Sequence, residues 1–370
     1  MKLPKLYKKT QNGKTVYLEL STKKVRNKDW YEMITKTGTV GEEDKEKMSK
    51  ILVKEGKNIG RSNETSPKEQ SENQIKSTWS NNLYKGYSDN LKEVQLRKYN
   101  KFPDNSVMPM LLNKYNEKVT EGFMQRKYDG VRCIAERVDG EIRLKSREGK
   151  IFDLSNILQQ VTKLMNNQVD CTFDGEIYLH GEELHDIISA VKNGDPNEKL
   201  NYVIYDVLVE NLEFFKRRNA LLAIETKDYE NIQVDYGVAV KTEEEIKEFH
   251  TSSIEQDYEG SILCKPNSVY DFGFRTGGKM KIKPRVTDEF ECIDHYFNKG
   301  KMAEESTLVC KTVTGKTFHV KMKGTHEQRV QWAEEFDDKF KNKMVTVEFR
   351  KLSKYNTPIE AVGITVRDYE

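Results

Sequence analysis

Long apolar runs are missing from this 370-residue chain. No stretch approaches the ~18 apolar residues that a membrane-spanning helix requires, and the N-terminus lacks the apolar core of a secretory signal. The expectation is a soluble, non-secreted protein with no membrane partner, and a monomer. Cysteine is scarce. The five (Cys133, Cys171, Cys264, Cys292, Cys310) are scattered without a C-x-x-C pair, which reads as free thiols in a reducing compartment, cytoplasm or nucleus. His180 and His185 stand five apart, the wrong spacing for a zinc-protease helix, and read as loop or surface residues. The loop Gly56–Gly60 lacks the Gly-Lys-Ser/Thr ending of a phosphate-binding loop. Hydrophobic residues make up only 36% of the chain against 33% charged, so the cores are small, and the length suggests two or three domains.

Net charge is only +2, but it is unevenly spread. Residues 1–100 hold 22 Lys and Arg against 13 Asp and Glu, residues 101–275 hold 22 against 32, and residues 276–370 hold 18 against 15. Two basic ends around an acidic middle suit a protein that grips a polyanion with its flanks.

The most informative stretch is Phe123-Met124-Gln125-Arg126-Lys127-Tyr128-Asp129-Gly130-Val131-Arg132. Lys127 stands two residues before an Asp-Gly turn and five before Arg132. An alternating apolar run follows, closed by the hairpin dipeptide Asp139-Gly140. Lys127 therefore lies where a strand gives way to a tight turn, a place where a lysine can be half-buried and aimed at a ligand. A free lysine amine has a pKa of ~10.4, so a nucleophilic lysine needs roughly 4–5 kcal/mol of help from burial and neighbouring cations. Arg132, Arg147 and the run Lys279-Met280-Lys281-Ile282-Lys283 offer such cations.

The K-x-D-G-x-R pattern resembles the first motif of the covalent nucleotidyltransferases: ATP-dependent DNA ligases, RNA ligases and messenger-RNA capping enzymes. Further segments similar to that superfamily's motifs follow in order across residues 107–285. Val107-Met108-Pro109-Met110-Leu111 is like its P-M-L lead-in, and Ser146-Arg147-Glu148-Gly149 like its S-R-x-G segment. Phe173-Asp174-Gly175-Glu176 resembles the D-G-E motif, Tyr202–Leu208 the aromatic-Asp strand, and Glu259-Gly260 the E-G motif. Arg275 followed by Lys281-Ile282-Lys283 is like the closing arginine and K-x-K.

The resemblance implies roles. Lys127 would be the nucleophile, with Lys281 and Lys283 alternating on one strand face as phosphate-directed catalytic cations that also favour its neutral amine. Gln125 would read the adenine amino group, and Tyr205 would offer its ring to the base. Arg132, Arg147, Arg275 and Lys281 would hold the nucleotide. Glu176 would contact the ribose or a divalent ion, and Mg²⁺ would be held near Glu176 or Glu259. The lysine that follows E-G in the family would fall at Cys264 or Lys265, and the role of Lys216-Arg217-Arg218 stays open.

The fold expected is α+β: a mixed or antiparallel-sheet nucleotidyltransferase core over 101–285, a β-barrel OB-fold over 286–370, and a small basic α+β domain over 1–100. The last is similar in layout to WGR-type nucleic-acid-binding domains; its lysines would contact duplex backbone, with protein docking as the alternative. Within 1–100, Glu42 to Glu55 reads as a charged helical stretch and Pro67 as the start of a polar helix. Ser155 is expected to cap a helix. In the last segment, three strands, a helix and two strands give the OB order, with Trp332, Phe336 and Phe340 as helix core. Arg367-Asp368 resembles the basic C-terminal motif. The expected activity is ATP-dependent sealing of nicks in duplex DNA through a lysyl-adenylate. RNA ligase and capping guanylyltransferase are the alternatives, and a non-catalytic nucleic-acid-binding protein the remote one.

Overall fold

A computed structural model describes residues 1–367, apart from the side chain of residue 301. The chain separates into two compact units, Met1–Ile282 and the remainder from Lys283. No helix among the described residues is long and apolar enough to cross a membrane.

The first unit opens with strands β1 (Leu6–Lys9), β2 (Thr15–Lys24), β3 (Tyr31–Thr39) and β4 (Lys47–Val53), an antiparallel sheet in that order. Helix α1 (Pro67–Leu83) packs on one face, where Leu6, Leu18, Leu20 and Ile75 form a small core. Its start is fixed by a capping box, Ser66 and Glu69 satisfying each other's backbone N–H, with Pro67 in the first turn. The charged stretch from Glu42 is not a helix. After one 3₁₀ turn it becomes β4, an edge strand whose mostly exposed residues mask the period-two alternation. Helix α2 (Leu91–Leu96) leads out of this region.

Two five-stranded sheets follow. Their strands are β5 (Leu111–Lys114), β6 (Gly122–Lys127), β7 (Val131–Val138), β8 (Glu141–Ser146), β9 (Phe173–Tyr178), β10 (Asn201–Val207), β11 (Ile232–Val234), β12 (Val238–Val240), β13 (Gly260–Cys264) and β14 (Arg275–Ile282). One sheet has the order β11-β10-β9-β7-β8, the other β12-β6-β13-β14-β5. Each sheet buries one face under helices. In the first, Cys133, Ala135, Phe173 and Ile177 join Ile157, Val161 and Leu164 of α3 (Ser155–Asn167) in the largest core. Leu154, not Ser155, occupies the cap position of α3, without a side-chain bond. In the second, Met124, Leu263 and Met280 pack with Ile246 of α6 (Glu243–Glu255), which follows α4 (Leu184–Lys192) and α5 (Phe214–Leu222). Because side chains alternate along a strand, the other faces carry Arg132, Asp174 and Glu176 in one sheet and Phe123, Gln125, Lys127, Cys264, Lys279 and Lys281 in the other.

The second unit is a closed barrel of β15 (Val286–Phe297), β16 (Ser306–Lys311), β17 (Thr317–Met322), β18 (Lys343–Phe349) and β19 (Val362–Val366) in the order β15-β16-β17-β19-β18, an OB-fold. Helices α7 (His326–Glu334) and α8 (Phe336–Lys339) lie between β17 and β18. Phe336 and Phe340 are core residues, and Trp332 packs against them. Glu305, fully buried, is bonded by Lys321, His326 and Arg329, which hold its carboxyl far below the usual range despite burial. Arg367 pairs with Glu289; Asp368 lies outside the described residues.

Candidate active site

The site is assembled from the faces of the two sheets in the first unit that lie opposite α3 and α6. Lys127 ends β6, and its ammonium forms an ion pair with Glu259. The backbone closes the same contact, Glu259 N–H donating to Lys127 O at 2.9 Å, and Gly260 sits directly across from Lys127 in the β6–β13 register. The Asp-Gly turn after Lys127 packs tightly: a Cβ at Gly130 would lie 2.3 Å from the carbonyl oxygen of Ile177. Glycine is therefore needed there to let the turn approach β9.

Glu176 enters from β9. Burial pushes its carboxyl up to about 7, opposed by the positive charges of Lys127 and Arg132 and helped by the negative charges of Asp174 and Glu259. These interactions place Glu176 in one electrostatic cluster with the Lys127–Glu259 pair. Tyr205 donates its hydroxyl to Glu176 Oε2 at 3.3 Å. Its ring is aimed by a β-bulge: the β9–β10 register slips between Ile204 and Asp206, so Tyr205 is the extra residue.

Arg132 is fully engaged within the protein. Its guanidinium grips Asp174 with two bonds, 2.9 and 2.6 Å, and donates to Met110 O at 2.7 Å. Tyr270 completes the arrangement, its hydroxyl 2.7 Å from Asp174 Oδ2. Sequence reading puts Arg132 on the nucleotide; here it ties the K-x-D-G-x-R and D-G-E segments together, and a fork on a wholly buried carboxylate is a strong attachment. Gln125 is likewise turned inward and only 1% exposed. Its amide donates to Tyr205 O (2.8 Å) and Asp235 O (2.6 Å), and its carbonyl accepts from the Cys264 thiol. Both amide protons are taken by neighbouring strands, while the carbonyl, the group expected to read adenine, accepts from the thiol alone and has a second lone pair.

The remaining residues divide. Lys281 shares the site face of β14 with Lys279, across from Ile262. Lys283 does not extend that face. β14 ends at Ile282, and Lys283 opens the second unit, bonding Glu360 at 2.7 Å. Pro284 explains the break, since it has no N–H for a ladder and biases the preceding residue. Arg275 is exposed at the start of β14 and donates to Leu112 O. Arg147 is exposed just past β8.

Three residues outside the expected set stand out. Lys279 is 3% exposed and lies 2.8 Å from Asp206, and Arg217 of α5 clasps the same carboxylate at 2.8 and 3.0 Å. Burial alone would raise the Asp206 carboxyl; the two cations outweigh it and hold the group below its ordinary value. Arg217, the middle member of Lys216-Arg217-Arg218, is thus a buried tie between α5 and β10. Position 264 is a buried cysteine whose partner across the ladder is Lys279. The signal for Lys279 was the five-residue run Lys279 to Lys283 itself, in which its alternation with Lys281 matters and that of Lys281 with Lys283 does not.

A nucleophile-type lysine beside two glutamates, under a bulge-aimed tyrosine, suits capture of a nucleotide phosphate. The comparisons agree. The family model described as "ATP dependent DNA ligase domain" matches residues 108–283. A DNA ligase of African swine fever virus (isolate Warthog/Namibia/Wart80/1980) is 28% identical over 363 residues, 88% of this chain and 82% of that protein. The DNA ligase of isolate Pig/Kenya/KEN-50/1950 is also 28% identical, over 85% of this chain and 79% of that one. In fold, the chain resembles a solved structure from a structure–function study of Lig E DNA ligases. That match has a TM-score of 0.58 and 20% identity, with 70% of this chain and 99% of that one covered. From the ordered motifs and their meeting on two strand sets to the family model and the viral relatives, the observations lead to one assignment: residues 108–283 form an ATP-dependent DNA ligase domain.

Proposed function

We propose that the protein seals nicks in duplex DNA with ATP, Lys127 carrying the adenylyl group. The observation that carries this reading is the meeting of Lys127, Glu259 and Glu176 in one cluster built from two different sheets. In the first step the Lys127 amine, after giving up a proton, attacks the α-phosphorus of ATP. A P–N bond forms and pyrophosphate leaves with its bonding electron pair. Lys281, on the site face, opposes the charge developing on the phosphates. In the second step a 5′-phosphate oxygen at the break attacks the same phosphorus and releases the lysine. In the third the 3′-hydroxyl attacks the 5′-phosphate and expels AMP.

Glu176 and Glu259 supply hard oxygen donors suited to Mg²⁺. Lys127 and Arg132 already offset part of the negative charge of Asp174, Glu176 and Glu259, and a bound ion would add to them. No group of three or more His, Cys, Asp or Glu side chains able to hold a metal occurs among the described residues. Magnesium takes one or two carboxylates and fills the rest of its shell with water and phosphate oxygen, and Glu176 and Glu259 would be those carboxylates. When bound, the ion would neutralise phosphate charge. Arg147 and Arg275, both exposed, remain available to nucleotide or DNA phosphates; Arg132 acts by holding Asp174.

The proposed division of labour is an adenylation domain over 101–285, an OB-fold over 286–370 and a basic module over 1–100. The module's lysines would contact duplex backbone without reading sequence. The test is ligation of duplexes with a single nick, carrying DNA or RNA on either side, with ATP or GTP. Sealing of the all-DNA nick with ATP is expected. Sealing confined to RNA, or labelling of the protein by GTP alone, would overturn the reading.

A further inference from the structure

Tyr205 is held on two sides by groups that share no strand. Its hydroxyl bonds Glu176 on β9, and the ammonium of Lys279, from β14 of the other sheet, lies 5.4 Å from its ring centroid. Lys279 is itself fixed: 2.8 Å from the fully buried Asp206, the next residue along β10, and 5.2 Å from the ring of Phe214. A buried lysine carries a desolvation penalty that packing alone does not require, because an apolar side chain of similar length would fill the space. What a cation adds here is directional, an electrostatic hold on the ring face. Asp206 does not need it for satisfaction, since Arg217 already clasps both its oxygens.

We propose that Lys279 is a positioning residue for the nucleotide: anchored on Asp206, its ammonium backs the Tyr205 ring and sets the plane on which the adenine of ATP stacks. The inference rests on the assignment of Tyr205 as the base-stacking residue. It makes Lys279 a residue that acts through Tyr205 rather than through the phosphates, unlike its neighbour Lys281. It also gives the bulge a purpose. By adding one residue between Ile204 and Asp206, the chain places the ring and the carboxylate that anchors its backing cation side by side.

The test uses full-length Lys279→Met and Lys279→Arg, with ATP titrated in single-turnover AMP uptake by the protein. Ligation of a nick already carrying a chemically adenylated 5′-phosphate is measured in parallel. Lys279→Met should raise the half-saturating ATP concentration about tenfold, with a smaller drop in the maximal rate. Sealing of the pre-adenylated nick, whose adenine arrives tethered to the DNA, should fall clearly less than ATP uptake does, and Lys279→Arg should recover most of the loss. Should Lys279→Met fold poorly, Lys279→Gln replaces it, and Tyr205→Leu supplies the second arm: in that background Lys279→Gln should no longer alter half-saturation. An unchanged half-saturation in Lys279→Met or Lys279→Gln, an equal loss in both assays, or an undiminished effect of Lys279→Gln without the tyrosine ring would overturn the role of Lys279 alone. An unsubstituted protein that takes up no AMP would instead overturn the reading of the whole site.

Discussion

Lys127 and Glu259 are held together twice, by an ion pair between their side chains and by a 2.9 Å backbone hydrogen bond from Glu259 N–H to Lys127 O. Before ATP arrives, the amine is engaged by a carboxylate, which is also the nearest acceptor for the proton that the amine must shed. Glu259→Gln keeps the size of the side chain and removes its charge. Single-turnover AMP uptake should fall by roughly 10²-fold or more, while the thermal midpoint changes little. Uptake within threefold of the unsubstituted rate would show that Glu259 has no part in loading.

Glu176 gives a pH signature. Its carboxyl is raised from 4.5 to about 7, chiefly by burial. A raised acid binds its proton more tightly folded than unfolded. Its contribution therefore favours the fold below about 4.5 and is lost as pH climbs through 7. Glu176→Gln is neutral throughout and should gain on the unsubstituted protein by roughly 2 kcal/mol between pH 5 and pH 8. Urea unfolding across that range checks it; parallel stability curves would contradict it.

The Arg132–Asp174 fork is a structural tie, so its loss should register in stability. Arg132→Ala leaves a fully buried carboxylate with only the Tyr270 hydroxyl among the partners described above. It should destabilise the first unit by roughly 3 kcal/mol. Arg132→Lys should recover only part, because an ammonium cannot grip both oxygens in the same plane. A loss below 1 kcal/mol in denaturant unfolding would assign Arg132 to ligand rather than fold.

Arg147 makes the opposite case. Exposed beyond the end of β8, it should tolerate Arg147→Ala within about 0.5 kcal/mol. AMP uptake should nonetheless weaken, seen as a higher half-saturating ATP concentration. Unchanged uptake would remove it from the nucleotide site.

What could be read from the sequence was local. The hairpin after Lys127, the start of α1 at Pro67 and the strand carrying Asp174 and Glu176 each depend on residues a few positions apart, and each forms. The barrel was legible because its strand order follows alternation and turns. What escaped was set by distant partners. Arg132 meets Asp174 across 42 positions, and Gln125 is satisfied by carbonyls 80 and 110 positions away. Charge count misled at β4, where an exposed edge strand carries the composition of a surface helix. It misled again at Lys283, where Pro284 takes the last lysine out of the strand.

The central claim is that one amine bears AMP. Incubation of the purified protein with ATP and Mg²⁺, then intact-mass and peptide mapping, tests it directly. The account predicts a single added adenylyl group located on Lys127, released by pyrophosphate and absent from Lys127→Ala. An adenylyl group on any other residue, or its persistence in Lys127→Ala, would contradict it.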